Sequence, residues 1–243
     1  MNTINRKNLK RLVSPLCVVV VALGMLSLWH NAEANNSKKG KKGGDSEANN
    51  SKKAADLVRW DIISINPLPP AAGSAIRAGG VAFAFAYHTP TNPSAAWIRL
   101  TGGGTFVAPA NGGGSSAVKG GGTWQTSGPG LPEASGSYRV TELVNWQFAT
   151  LASGGPAFID EIAGLDKRAN GNAVLLIEYD DGTEGILGIG CHGPGAPNGI
   201  FEGVIASKGH VTYWNGVLPP GPAVDQNRTI FHILRSLDCD DHD

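Results

Sequence analysis

The sequence lacks the short motifs by which many enzymes are recognised. It contains no Gly-x-Ser-x-Gly, His-Glu-x-x-His, Walker or Rossmann motif, which argues against serine hydrolases, zincins and nucleotide-binding enzymes. Charge is also sparse: 16% of the 243 residues are charged, and the net charge is zero. Residues 54–243 carry ten Arg and Lys against seventeen Asp and Glu, and this net charge of −7 argues against nucleic-acid binding by that part of the chain.

Cysteine is equally scarce, with three residues in the whole chain. Cys17 lies in the N-terminal segment, which leaves Cys191 and Cys239. In an oxidising compartment the first expectation for two cysteines is one disulfide, here fastening the acidic tail at 238–243 to the centre of the chain. Two free thiols or a metal-binding pair are the alternatives.

The first 34 residues have the organisation of a secretory signal peptide. Basic residues at 6–11 and an apolar run over 12–28 precede Ala32-Glu33-Ala34, which presents small residues at the positions of a cleavage site. We therefore expect cleavage near Ala34 and a secreted or periplasmic protein. An uncleaved membrane anchor is the alternative that the length of the run allows.

A low-complexity linker is predicted over residues 35–56. Its heptapeptide Glu-Ala-Asn-Asn-Ser-Lys-Lys occurs at 33–39 and again at 47–53, and residues 35–53 carry six lysines against two acidic residues. A segment with no apolar residue larger than alanine cannot form a core. It is interpreted as a solvated spacer, with contact to an anionic surface as the alternative.

Residues 57–237 are predicted to form one all-β domain, a single antiparallel β-barrel of about eight to ten strands with at most one short helix. Apolar and polar residues alternate over Leu57–Asn66 and over Ser137–Ala149, as in half-buried strands. The glycine triplets at 102–104 and 120–122 suggest bends where a sheet curls. Helix-like spacing occurs only at Pro156–Ala169. A barrel is preferred over a β-sandwich because closure removes exposed edges.

The central stretch from Asn172 to Cys191 reads as two apolar strands joined by a tight turn. Asp181-Gly182 predicts a two-residue type I′ turn, which requires positive φ at both residues. This turn would pair Glu178 with Gly185 and place Glu178 on an apolar face together with Leu187.

Glu178 and Glu142 are the predicted acid–base residues. Alternation places Glu142 on the apolar face of its own strand. A carboxyl group in apolar surroundings has a raised pKa and can act as a general acid or base. A structural ion pair with one of the arginines is the alternative for either residue.

Histidines form a second group of candidates. His192 and His210 could assist the two glutamates, and with Glu202 and His88 they could converge at one mouth of the barrel. No two of them show a recognised ligand spacing, so neither a metal site nor a cofactor is predicted.

Aromatic residues suggest how a ligand would be held. Trp146, Tyr213 and Trp214, together with Glu202, are predicted to contact a sugar or an apolar molecule, with burial in the core as the alternative.

The function predicted from the sequence is an exported β-barrel module that binds a small apolar or carbohydrate ligand, or a surface polymer. One alternative is a cofactor-independent enzyme, an isomerase, cyclase or hydrolase. Another is a structural or adhesion module without a pocket, whose barrel is filled by its own aromatic side chains.

Overall fold

The computed structural model describes residues 55–86, 95–109, 113–164, 167–215 and 226–237. The predicted signal peptide, nearly all of the linker and the acidic tail lie outside these residues. The described residues contain no α-helix, and none of their elements is a helix able to span a membrane. Thirteen β-strands form within them: β1 (Ala55–Asn66), β2 (Ala75–Ala78), β3 (Ala82–Phe85), β4 (Trp97–Leu100), β5 (Gly103–Ala108), β6 (Val118–Ser127), β7 (Ala134–Leu151), β8 (Ile159–Asp160), β9 (Arg168–Tyr179), β10 (Glu184–Cys191), β11 (Gly203–Lys208), β12 (Val211–Tyr213) and β13 (Arg228–Leu237).

Six of these strands close into a ring, which confirms the predicted antiparallel β-barrel. Around the ring the order is β1, β5, β6, β7, β9 and β13, and each neighbouring pair is antiparallel. The remaining strands extend the sheet outside the ring, with β2 beside β1, β4 and β3 beside β6, and β10, β11 and β12 beside β9. The thirteen strands exceed the predicted eight to ten. One reason is that β4 and β5 pair with β6 in the same register and are separated from each other only at residues 101–102.

The interior of the ring is filled by aromatic side chains from strands on opposite sides. Trp60, Phe106 and Phe231 are fully buried, and Trp146 is nearly so. Trp146 packs between two of them, with ring centroids 5.5 Å from Phe106 and 4.6 Å from Phe231. Such tilted and edge-on contacts add to the free energy gained from burying the rings. The ring interior is therefore a packed core.

The two glycine triplets lie opposite each other in β5 and β6. Gly103 pairs with Gly121, and Gly102 lies at the break between β4 and β5 with a φ of +143°, which side chains rarely permit. A Cβ atom on Gly122 would lie 1.9 Å from the carbonyl oxygen of Thr101. Glycine is thus required because the backbones cross too closely for any side chain.

The hairpin between β9 and β10 corrects the predicted register by one residue. The turn has three residues, 180–182, and only Gly182 has positive φ, whereas a type I′ turn would require it at Asp181 as well. Glu178 therefore pairs with Glu184, and Leu187 pairs with Leu175. A one-residue slip exchanges the faces of a strand, so Glu178 lies on the face opposite Leu187, outside the ring.

Strand β7 corrects a second prediction. Its pairing with β9 is interrupted at three places, the first between Val140 and Glu142 and the second between Leu143 and Asn145. Each bulge shifts the alternation of the strand, so Val140, Leu143 and Trp146 all face inward. Glu142 is consequently exposed, although strict alternation places it on the inner face.

The segment with helix-like spacing forms no helix over its described residues. Residues 156–164 instead contain β8, which pairs in parallel with β2, and a series of bends. This segment packs Phe158 and Ile162 against a small apolar cluster on the outer face of the ring, and the buried members of that cluster are Ile63, Ile65, Ile76 and Ile230. We call residues 156–164 the covering segment. The helix-like spacing of its apolar residues thus reflects their contacts with the apolar cluster beneath it.

Candidate functional site

A pocket of about 370 Å³ lies against the outer face of β1 and β13, beneath the covering segment. We call it the side pocket. One wall is apolar and is formed mainly by Ile63, Ile65, Ile76, Phe158 and Ile230. The opposite side brings together polar groups from β9, β10 and β13 and from the loops between strands: Arg168, Asn170, Cys191, Glu202, Arg228 and Thr229. This candidate site therefore lies beside the barrel, whereas the sequence suggested a site at its mouth.

Glu202 supplies the carboxyl group of the side-pocket lining, and the pKa of this group is strongly perturbed. Its two oxygens accept hydrogen bonds from the backbone N–H groups of Thr229, at 2.8 Å, and His192, at 2.6 Å. Burial raises the pKa of Glu202 to about 7, although both hydrogen bonds act in the opposite direction. A carboxyl group that exchanges its proton near neutral pH is suited to general acid–base chemistry.

His192 contributes to the site through its backbone. Its side chain is exposed, and Nδ1 of the ring lies 2.8 Å from the carbonyl oxygen of Ile200. The N–H group of the same residue orients Glu202. The structure thus brings the backbone of His192 to Glu202, whereas the imidazole is turned toward the loop that follows β10.

Cys191 is buried beside the side pocket and forms no disulfide within the described residues. Its predicted partner, Cys239, lies outside the described residues. Burial raises the pKa of the Cys191 thiol well above its ordinary value, and the nearby Glu202 raises it further. A thiol held in its protonated form is a poor nucleophile, so the geometry favours a packing role for this side chain.

A row of basic side chains crosses the outer face of the ring next to the side pocket. Register places Arg59, His232 and Arg168 side by side across β1, β13 and β9. Arg59 donates to Asp61 at 2.7 Å, and Nε2 of His232 lies 2.9 Å from Asp160. The side chain of Arg168 has no such partner in the described part of the chain: its Nε is buried without a hydrogen bond.

The two predicted catalytic glutamates lie away from the side pocket. Glu178 forms an ion pair with Arg139 on the outer surface, and both side chains are more than one-third exposed. Glu142 is exposed next to a bulge of β7. The predicted apolar environment of both residues is wrong, because the hairpin register and the bulges turn them outward.

The predicted aromatic ligand-binding residues divide between core and surface. Trp146 and Tyr213 are buried in the main core, where they pack against other side chains. Trp214 is 57% exposed and lines a second pocket of about 490 Å³, together with His210 and Leu131. His210 is therefore not brought to Glu202.

Arg168, Asn170 and Thr229 are functional candidates that sequence reasoning did not identify. Asn170 is fully buried and joins β9 to the loop after β10, because its Oδ1 accepts a hydrogen bond from Gly193 and its Nδ2 donates to Pro194. The only signal in the sequence was the alternation of polar residues at Arg168, Asn170 and Asn172, immediately before the apolar part of the strand.

Comparisons of this chain with protein-family models, with curated proteins and with solved structures found no match.

Proposed function

We propose that this protein binds a small, largely apolar organic molecule in the side pocket. The observation that supports this function is the pocket itself, an apolar wall faced by a few convergent polar groups. Sites for small molecules typically have this composition, and their volumes begin at about 300 Å³. The side pocket, at about 370 Å³, falls at the lower end of that range.

Binding can be tested with the neutral fluorescent dye N-phenylnaphthylamine, whose emission rises in apolar surroundings. The full chain is titrated with the dye and compared with an Ala152→Trp variant. Ala152 is a partly exposed pocket residue, so an indole there fills the pocket from its rim. Leu151→Trp is the matched control, because Leu151 is exposed and lies outside the pocket lining.

We expect the dye to bind the parent chain and the Leu151→Trp control alike, and to bind the Ala152→Trp variant at least about tenfold more weakly. Saturable binding that is the same in all three chains would place the dye elsewhere and contradict the proposal. Absence of binding to the parent chain would contradict it equally. Circular dichroism of each variant reports whether the β-sheet is retained.

A cofactor-independent enzyme is the second candidate function, and one observation favours it. The carboxyl group of Glu202 has a pKa of about 7 and faces an apolar pocket. An isomerase of this kind begins by removing a proton from carbon, which a base of this pKa can do. In this version Glu202 takes the role that the sequence suggested for Glu178 and Glu142.

The enzyme candidate predicts that the protein accelerates exchange of solvent deuterium into cyclohexanone, followed by proton NMR. Glu202→Gln should abolish the acceleration and leave dye binding within about threefold, whereas Glu184→Gln, at an exposed position, should change neither. Equal exchange rates with the parent protein and with Glu202→Gln would rule out Glu202 as the base.

The structural-module alternative predicts a barrel filled by its own aromatic side chains and no binding pocket. The packing of Trp146 and Phe231 in the ring interior agrees with the first part, while the side pocket outside the ring is what favours binding. The dye titration separates the two alternatives.

Export remains part of the proposal. Cleavage near Ala34 would release a secreted or periplasmic chain in which the Lys-rich linker precedes the barrel as a solvated spacer, with contact to an anionic surface as the alternative. N-terminal sequencing of the exported fraction tests the cleavage, and binding of the mature chain to anionic but not neutral vesicles tests the contact.

A further inference from the structure

We infer that the molecule bound in the side pocket carries an anionic group, which pairs with the guanidinium of Arg168. The ligand class is thus an amphipathic acid, with an apolar body against the isoleucine wall and a charged end at Arg168. This inference rests on the proposed binding function and makes its ligand more specific.

The first observation is the burial of an arginine without a partner. Arg168 is only 9% exposed, and its Nε donor has no hydrogen bond. Its guanidinium carbon lies 5.6 Å from the centre of the Phe158 ring, so the cation has an aromatic neighbour but no acceptor for this donor. Burying a charged group without such compensation is costly, and arginine cannot relieve the cost by losing its proton.

The second observation is that the carboxylates bound to the neighbours of Arg168 in the row, and the carboxylate of the side pocket, are already engaged. Asp61 accepts two hydrogen bonds from Arg59, and Asp160 is bonded to His232. Glu202 is held by two backbone N–H groups. Within the described residues no carboxylate lies within 4 Å of Arg168. The acceptor that completes this site therefore comes from outside the described chain.

The third observation concerns the charge of the lining. The charged side chains that line the side pocket are Arg168, Arg228 and Glu202, which leaves the lining positive when all three are ionised. Residues 54–243 as a whole carry a net charge of −7. The planar guanidinium of Arg168 matches the two oxygens of a carboxylate or phosphate.

The test compares octanoate with octanol, which share a chain length and differ in charge. Each is used to displace N-phenylnaphthylamine from the full chain, at one pH and one salt concentration. We expect octanoate to bind at least about tenfold more tightly than octanol, because charge-assisted hydrogen bonds are stronger than neutral ones. Inorganic phosphate alone should not displace the dye, since it lacks the apolar body.

The Arg168→Met variant should lose the preference for octanoate and bind octanol as the parent does. Arg168→Lys keeps the charge without the planar fork and should retain part of the preference. Arg139→Met is the control, because it removes a surface arginine that is outside the pocket lining. If neither variant at Arg168 folds, the arginine Nε–H signals of the parent protein are followed by NMR, and octanoate but not octanol should shift one of them.

The outcomes separate the two proposals. Equal affinities for octanoate and octanol, or an acid preference that survives in Arg168→Met, would overturn the inference about charge and leave the binding function standing. Displacement by inorganic phosphate as effective as that by octanoate would overturn the amphipathic part. Failure of the dye to bind the parent chain would instead overturn the proposed function.

Discussion

Replacing Glu202 with Gln tests how strongly the side pocket perturbs this carboxyl group. Burial raises its pKa from the ordinary value of 4.5 to about 7, and one pKa unit corresponds to about 1.4 kcal/mol, so the full perturbation is on the order of 3 kcal/mol. Between these two pH values the folded chain retains a proton that the unfolded chain has released. The resulting stabilisation is fully present below pH 4.5 and is lost as the pH rises through 7.

The measurement is urea unfolding of the parent chain and the variant, followed by tryptophan fluorescence at intervals from pH 5 to 8.5. The free energy of unfolding of the parent should fall relative to that of Glu202→Gln by about 2 to 3 kcal/mol over this range. The histidines and other carboxyl groups titrate in both proteins, so their effects cancel in the difference. Glu184→Gln, at an exposed position, controls for removal of a charge.

The glutamine variant should also be the less stable protein at pH 5. Both oxygens of Glu202 accept hydrogen bonds, whereas the amide group of glutamine would turn a donor toward one of the two backbone N–H groups. One unsatisfied buried N–H costs about 1–3 kcal/mol. A difference between the two proteins that stays constant from pH 5 to 8.5 would refute the reasoning, because it would place the pKa of Glu202 near its ordinary value.

Three further predictions concern stability and are measured by the same urea titration. Phe231→Ala should lower the free energy of unfolding by about 3–5 kcal/mol, since it opens a cavity in the filled ring, and a loss below about 1 kcal/mol would show that the ring interior is loosely packed. Gly122→Ala should destabilise the protein more than Gly182→Ala, because an added Cβ meets a backbone oxygen at Gly122 but open space at Gly182. At Gly182 only the positive φ is unfavourable, by about 1–2 kcal/mol. The reverse order would contradict the close crossing of the backbones at Gly122. Glu178→Gln should change the free energy of unfolding by less than about 1 kcal/mol and leave dye binding unaltered, as expected for an exposed ion pair. A larger effect on either quantity would indicate that Glu178 contributes to the site.

The barrel was predictable from the sequence because its signals are local. Alternation along β1 and β7, the hairpin at Asp181-Gly182 and the glycine triplets each depend on neighbouring residues, and together they require a curled antiparallel sheet. The absence of a helix over Pro156–Gly164 was harder to predict from the sequence. An apolar residue every third or fourth position fits a helix as well as an irregular segment that covers an apolar cluster.

The site was less predictable because it depends on which face each side chain occupies. One extra residue in a turn moved Glu178 from the inner to the outer face, and bulges in β7 did the same for Glu142. The alternation of apolar and polar residues in the sequence does not reveal an extra turn residue or a bulge. The sequence identified Glu202 but not the backbone N–H groups that bind its carboxylate. Arg168 became a candidate only in the structure, because the basic side chains beside it on β13 and β1 have acidic partners and its own Nε has no acceptor among the described residues.

The six ladders that close the ring differ greatly in length, and the shortest one lies next to the side pocket. Strands β9 and β13 are joined through two residue pairs, Phe231 with Ala169 and His232 with Arg168, whereas β1 and β13 share nine. This short ladder, the seam of the ring, is held by the fewest residue pairs, so few backbone hydrogen bonds would have to break to open it. Arg168 lies on one side of the seam and Ile230 on the other, and both line the side pocket. A molecule bound there as proposed would contact both edges, so binding in the pocket would stabilise the closed ring.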